Sequence, residues 1–362
     1  MYLTWLFMQL RLLVILFLVG SILGCSGSSS DDDNPITKPT DLEVTVDIVG
    51  KNAENPNGDG SGRITVNFSA TNARSYKVSF GNGDIKETTS NSVTYTYVGK
   101  RTDTYDIYVS AYNADQFISK SVTVTIYVSP ALTFADEFES PGAPDSSKWG
   151  YDEGTNGGWG NNESQYYTTR SENVIVEDGY LKITAKKENY MGANYTSARL
   201  KTFGKFDFTY GKIEVRAKLP QGGGTWPAIW MLGSNFQTET WPACGEIDIM
   251  EHVGNELGKV HATLHTPSSF GASLNSGTTQ VSNVATEFHV YSAEWTAQKI
   301  DFAVDGTIFY TYNPQNKNAN NWPFDKDQFI ILNIAMGGNF GGNIDPDFQQ
   351  SSMLIDYVRV YQ

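Results

Sequence analysis

Apolar residues in this chain recur at every second position, segment after segment, and no stretch carries the 3.6-residue spacing of a helix longer than two turns. In an extended strand alternate side chains share a face, so this period buries one face of a sheet and leaves the other polar. The first set runs from residue 39 to 129. It contains Leu42-Glu43-Val44-Thr45-Val46, Ile64-Thr65-Val66-Asn67-Phe68 and Tyr76-Lys77-Val78-Ser79-Phe80. Val93-Thr94-Tyr95-Thr96-Tyr97, Tyr105-Asp106-Ile107-Tyr108-Val109 and Val122-Thr123-Val124-Thr125-Ile126 follow, all separated by Gly, Asn and Asp clusters that turn the chain. The spacing predicts a small β-sandwich of about seven strands. From residue 130 to 362 Trp and Gly become frequent, loops lengthen, and strands are plain at 180–185, 212–217, 288–293 and 329–334. A strand-rich segment of this length buries its faces as a large two-sheet jelly roll. The predicted fold is all-β: a C-terminal β-jelly-roll sandwich preceded by a small β-sandwich.

Charge narrows the partners. The chain carries 26 Lys and Arg against 40 Asp and Glu, a formal net charge of −14. A phosphate backbone needs a basic footprint, so this balance argues against nucleic acid and against electrostatic docking on anionic lipid. A neutral polymer suits such a surface. The two cysteines, Cys25 and Cys244, make neither a disulfide framework nor a metal knuckle.

Residues 12–23 form an apolar run preceded by Arg11, too short to span a bilayer and matched to the core of an export signal. Met8 offers a start with a more ordinary charged opening. The run ends in Leu23-Gly24-Cys25-Ser26, which resembles the bacterial lipobox. Residues 1–24 are therefore expected to be a lipoprotein signal peptide, with Cys25 lipidated and holding the chain to the membrane. The Ser, Gly and Asp tract that follows cannot form a core, so residues 25–38 are expected to be a flexible tether. Its acidic run, Asp31-Asp32-Asp33, resembles the surface-export signal of Bacteroidetes lipoproteins. The expected location is the outer membrane, exposed on the cell surface, and a monomer is expected.

The chemistry concentrates in Gly245-Glu246-Ile247-Asp248-Ile249-Met250-Glu251. Glu246 and Asp248 share a strand face, with Ile247 and Ile249 on the other. Glu251 falls out of phase by one residue, and a β-bulge near Met250 restores it. Three carboxylates on one face repel each other and cost folding energy. Glycoside hydrolysis is the chemistry that uses them: one attacks the sugar carbon, a second protonates the leaving oxygen, and a third separates the two pKa values. Trp226, Trp230 and Trp241 suit a sugar-stacking cleft. No His stands at ligand spacing with these acids, which argues against a zinc site. His261 and His265, four apart, share a strand face; His265 reads as a hydrogen-bonding residue of the cleft and His261 as structural.

The segment 241–251 (Trp-Pro-Ala-Cys-Gly-Glu-Ile-Asp-Ile-Met-Glu) resembles glycoside hydrolase family 16, in its laminarinase-like branch with Glu-x-Asp-x-x-Glu. Ordered matches continue through Asp136-Glu137-Phe138, Trp159-Gly160-Asn161-Asn162-Glu163, Gln165-Tyr166-Tyr167 and Glu177-Asp178-Gly179. Thr225-Trp226-Pro227-Ala228-Ile229-Trp230, Leu332-Asn333-Ile334 and Asp356-Tyr357-Val358-Arg359 complete them. The resemblance implies a catalytic domain over 130–362 and a retaining mechanism with Glu246 as nucleophile, Glu251 as acid/base and Asp248 tuning Glu246. It implies sugar subsites lined by Asn161, Arg199, Trp226, Trp230, Trp241 and His265. It implies no cofactor for catalysis, and a structural Ca2+ on oxygens of Glu137, Gly179 and Asp356, partly through backbone carbonyls. The expected partner is a β-glucan, either laminarin or a mixed-linkage β-1,3/1,4-glucan. A related hydrolase or transglycosylase on agar, porphyran or xyloglucan stands as the alternative, as does a non-catalytic glycan-binding protein.

Spacing alone points elsewhere on one matter. Retaining enzymes hold their carboxyls about 5–5.5 Å apart, whereas Glu246 and Glu251 stand roughly 13 Å apart at Cα on a flat strand. Spacing favours Glu246 and Asp248 as the pair; the role of Glu251 comes from the family. The chain also departs from many relatives in having Asn339-Phe340 where they carry Trp-Pro. Residues 267–279 lack basic side chains, which weighs against a sulfated galactan. Upstream, Phe80-Gly81-Asn82-Gly83-Asp84 with Tyr95-Thr96-Tyr97 and residues 105–113 resembles the immunoglobulin-like PKD module, with Asn82 where that module usually has Asp. That implies an immunoglobulin-like sandwich over 39–129 acting as a spacer. Glycan binding by it requires a row of exposed aromatic rings.

Overall fold

The computed structural model describes residues 36–98 and 101–362. The signal segment, Cys25 and most of the tether lie outside these residues. The described residues fall into two compact units. One includes residues 66–93 and 106–123; the other includes 46–65, 94–105 and 124–362.

The N-terminal stretch holds two sheets. Thr40–Ile48, Arg63–Thr71 and Ser92–Thr96 form one; Ile85–Thr88, Ser75–Ser79, Arg101–Asn113 and Gln116–Val128, in that order, form the other. Alternation is visible in burial: Ile64, Val66 and Phe68 are buried while their neighbours are not. The strand Ile85–Thr88 has no such signature because it is an edge strand, exposed along most of its length.

The C-terminal part is a two-sheet jelly roll. A ten-stranded sheet is centred on Tyr180–Tyr190, Gln350–Tyr361 and Gly211–Lys218. A seven-stranded antiparallel sheet runs Ser276–Gln280, Lys259–His265, Glu246–His252, Thr225–Gly233, Gln328–Met336, Arg199–Lys201, Gly150–Asp152. One apolar core spans both sheets, with Ile213, Val215, Ile355 and Val358 from the first and Ile229, Met231, Ile247, Ile330 and Leu332 from the second. Each such side chain taken from water stabilises the fold by about 1.5–3 kcal/mol. Among the described residues the helical structure is a 3-10 turn at Gly254–Glu256 and a four-residue helix at Gly338–Gly341. None is long and apolar enough to cross a membrane. The inward residues of the seven-stranded sheet make the core, and the outward ones line a cleft.

Candidate active site

The site is built on the strand Glu246–His252, third from one edge of that sheet. Gly245 precedes it with φ +79°, and a Cβ there would lie 3.0 Å from Pro323 and 3.1 Å from Phe324. Glycine is the residue that takes this backbone without strain or clash. Asp248 then stands opposite Trp230 on one side and Thr263 on the other, and Glu251 opposite Ala228 and His261. The register slips by one residue between Asp248 and Glu251 on both sides. Ile249 and Met250 both turn into the core, at 1% and 0% exposure. This is a β-bulge, and it returns Glu251 to the face of Glu246 and Asp248.

All three carboxyls line one cleft of about 860 Å3. Burial, then the charge of Asp248, pushes Glu246 well up from the ordinary carboxylate range; His265 and a hydrogen bond from Trp241 oppose this. Burial and the charge of Glu251 push Asp248 well up, while a hydrogen bond with Glu246 opposes this. Burial raises Glu251 as well, against the indole of Trp226, whose Nε1–H donates to Glu251 Oε1 at 3.0 Å. So crowded a trio resists full ionisation, and each carboxyl holds its proton more tightly than a free one does. His265 Nε2 lies 3.2 Å from Asp248 Oδ2 and 3.7 Å from Glu246 Oε1. The nearer contact is an electrostatic one, with alignment too poor for a hydrogen bond.

The cleft walls are aromatic and hydrogen-bonded. Arg199 is sandwiched between Trp159, 4.8 Å from its guanidinium, and Trp230, at 4.7 Å. Asp152 holds the far side of Arg199, 3.1 Å from its Nε, and also pairs with Lys201. Trp230 Nε1 donates to Asn333 Oδ1 at 2.8 Å, and Asn333 Nδ2 donates to Tyr167 Oη at 3.1 Å. Tyr167 donates in turn to Glu163, which also accepts from Gln165 at 2.6 Å and from Asn161 at 3.4 Å. Burial pushes the Glu163 carboxyl up, against these donors and the charge of Arg199. Trp241, 43% exposed, rests against His265 and Phe270 with ring centres 5.6 and 5.5 Å away. Phe340 meets Trp226 and His261 edge-on at 5.5 and 5.0 Å.

The structure thus gathers Glu246, Asp248, Glu251, Asn161, Arg199, Trp226, Trp230, Trp241 and His265 around one cleft. His261, read as structural, also lines it. Sequence reasoning gave no role to Trp159, Glu163, Asn333 or Asp152. Trp159-Gly160-Asn161-Asn162-Glu163 was the available clue, since such a Gly- and Asn-rich loop is shaped for positioning rather than for a core. Cys244 is buried, and burial pushes its thiol up to about 11, so it is an inert apolar filler.

Asp356 lies on the other sheet, Glu137 just after its strand Leu132–Asp136, and Gly179 in the turn before Tyr180–Tyr190. Pairing of Leu181 with Ile355 and of Val358 with Asp136 brings their backbones to one corner. Their carboxylates do not converge as free anions. Arg359 grips both oxygens of Glu137 at 2.8 Å, and Arg216 reaches Asp356 at 2.5 Å. Asp356 is the extra residue of a bulge opposite Arg216 and Ala217.

A two-sheet β-protein with crowded carboxyls on one strand of an aromatic-lined cleft has the equipment of a carboxylate-dependent glycoside hydrolase. The family model described as Glycosyl hydrolases family 16 matches residues 161–359, and the chain belongs to that family. A β-glucanase of Rhodothermus marinus is 45% identical over 243 residues, covering 64% of this chain and 85% of its own length. The crystal structure of a laminarinase from Flavobacterium sp. UMI-01 superposes with a TM-score of 0.61 at 46% identity, over 64% of this chain and 100% of that one. A variant of LamA from Z. galactanivorans, in complex with laminaritriose and laminaritetraose, gives 0.58 at 46% identity, over 64% and 99%.

Proposed function

We propose that the protein is a retaining endo-β-glucanase that hydrolyses β-1,3-containing glucans. The observation that carries this is the bulge that turns Glu251 onto the face of Glu246 and Asp248, in a cleft lined by four tryptophans. Glu246 attacks the anomeric carbon as the bond to the leaving sugar breaks, and Glu251 gives that sugar's oxygen a proton. Glu251, now ionised, takes a proton from water, whose oxygen displaces Glu246 from the glycosyl ester. Asp248 shares a hydrogen bond with Glu246 and orients and tunes it for attack. Trp230 and Arg199 form a flat, rigid wall for sugar rings.

Reducing-sugar release from laminarin, mixed-linkage glucan, agarose and xyloglucan tests this. Release is expected from laminarin, with Glu246→Ala and Glu251→Ala each lowering kcat/KM at least about 100-fold. A folded enzyme that releases sugar from galactan alone, or from nothing, would sink the reading. The names of the relatives, a β-glucanase and a laminarinase, support it.

The modular organisation and the address belong to the same proposal. The lipobox-like Leu23-Gly24-Cys25 supports export and lipidation at Cys25, and the acidic tract supports surface display. A Cys25→Ala chain is then expected in the soluble fraction rather than the membrane pellet. A structural calcium at the Glu137, Gly179 and Asp356 corner would draw on backbone carbonyls, because arginines engage the two carboxylates. A fall in Tm on adding EGTA would support it, and an unchanged Tm would remove it.

A further inference from the structure

The four-stranded sheet of the N-terminal stretch has an inner face of buried Tyr76, Val78, Ile107 and Val109. Its outer face carries large rings in water. Tyr108 is 52% exposed and Phe117 is 50% exposed. Contacts across the hairpin of Arg101–Asn113 and Gln116–Val128 show that these residues share a face. Ser110 Oγ lies 2.7 Å from Ser119 Oγ, and Thr123 Oγ1 donates to Asp106 Oδ1 at 2.6 Å. The rings of Tyr112 and Phe117 lie 5.3 Å apart at 30°. On the other side Ser79 pairs with both Tyr108 and the exposed edge residue Ile85. Tyr108 and Tyr112 are four residues apart on one strand, about 14 Å at a rise of about 3.4 Å per residue. The side chains named here all lie within the first compact unit.

The chemistry between the rings is polar and electrically balanced. Hydroxyls of Ser110 and Ser119 separate the two aromatic platforms, with Ser75 and Ser79 on the neighbouring strand. Lys77 faces Glu87 at 3.5 Å, and Asp106 is satisfied by Thr123. Large exposed rings rimmed by polar side chains mark a binding surface. A hydrophobic protein partner would meet serine hydroxyls between the rings. An anionic or cationic polymer would find no uncompensated charge among these residues. A neutral sugar chain matches both features: its C–H faces stack on rings, and its hydroxyls need polar neighbours.

We propose that this sheet face is a second, non-catalytic glycan site that seats an extended β-glucan chain across Tyr108 and the Tyr112–Phe117 pair. The choice of β-glucan rests on the function proposed above. Two sites on one chain raise the effective concentration of insoluble substrate at the cleft, with no new contact in the cleft itself.

The test uses the mature full-length enzyme and its Tyr108→Ala/Phe117→Ala variant. Hydrolysis of a soluble laminarin oligosaccharide reads the cleft, and hydrolysis of and retention on insoluble β-1,3-glucan read the sheet face. The variant is expected to keep its oligosaccharide kcat/KM and lose roughly tenfold or more in retention on the insoluble polymer. Tyr108→Phe/Phe117→Tyr, which keeps the rings, is expected to restore retention. Unchanged retention in the alanine variant would overturn the proposal. So would a dimer of the parent that the variant abolishes without loss of retention, because the face would then serve a second copy. Failure of the parent to cut the oligosaccharide would instead strike the proposed function.

Discussion

The indole of Trp226 donates a hydrogen bond to Glu251 at 3.0 Å, and Trp226→Phe removes that donor while keeping a ring in the wall. A hydrogen bond to a charged group contributes about 1.5–3 kcal/mol. At about 1.36 kcal/mol per pKa unit, its loss lets the Glu251 carboxyl rise by about one to two units. Burial already holds Glu251 above the ordinary range, so the change adds to an existing displacement. Glu251 must carry its proton to act as the acid, so its titration sets the basic limb of kcat/KM against pH. The expected result is a basic limb moved upward by about one to two units, measured on a soluble laminarin oligosaccharide. Glu246 must be ionised to attack, so it governs the acid limb, which is expected to move less. A basic limb that stays in place or moves downward would refute the reasoning.

Two further substitutions probe the cost of the site. Asp248 is raised in the folded state, so above about pH 4 the folded protein holds a proton that the unfolded chain has released, and stability falls as pH rises through that window. Asp248→Asn is therefore expected to raise Tm at pH 7 by about 2–4 °C per kcal/mol relieved, with the gain vanishing below pH 4 and kcat falling; a lower Tm at pH 7 would contradict this. Glu163 accepts from Gln165, Asn161 and Tyr167, and Glu163→Gln turns an amide N–H2 toward those donors. A loss of about 1–3 kcal/mol is expected from denaturant unfolding, together with a higher KM because Asn161 loses its anchor.

The phase of Glu246, Asp248 and Glu251 was enough to require a bulge, and the structure has one, at Ile249 and Met250. Period-two alternation likewise located six of the seven N-terminal strands. It missed Ile85–Thr88 because an exposed edge strand has no buried face to write into the sequence. The Arg199 sandwich and the chain from Trp230 through Asn333 and Tyr167 to Glu163 were illegible for another reason. Their members come from distant segments and meet through sheet register, with Asn333 beside Arg199 and Ala228. The arginines that engage Glu137 and Asp356 are hidden in the same way, since Arg359 and Glu137 lie at opposite ends of the C-terminal part. Phe340 was visible as a departure, but its place against Trp226 and His261 was not.

The central claim is that Glu246 forms the bond to sugar while Glu251, brought round by the bulge, supplies the proton. Trapping the glycosyl–enzyme with a slow 2-deoxy-2-fluoro laminaribiosyl fluoride, then sequencing the labelled peptide by mass spectrometry, tests this directly. The ester is predicted on Glu246. A label on Asp248 or Glu251, or an enzyme inactivated with no label, would contradict it.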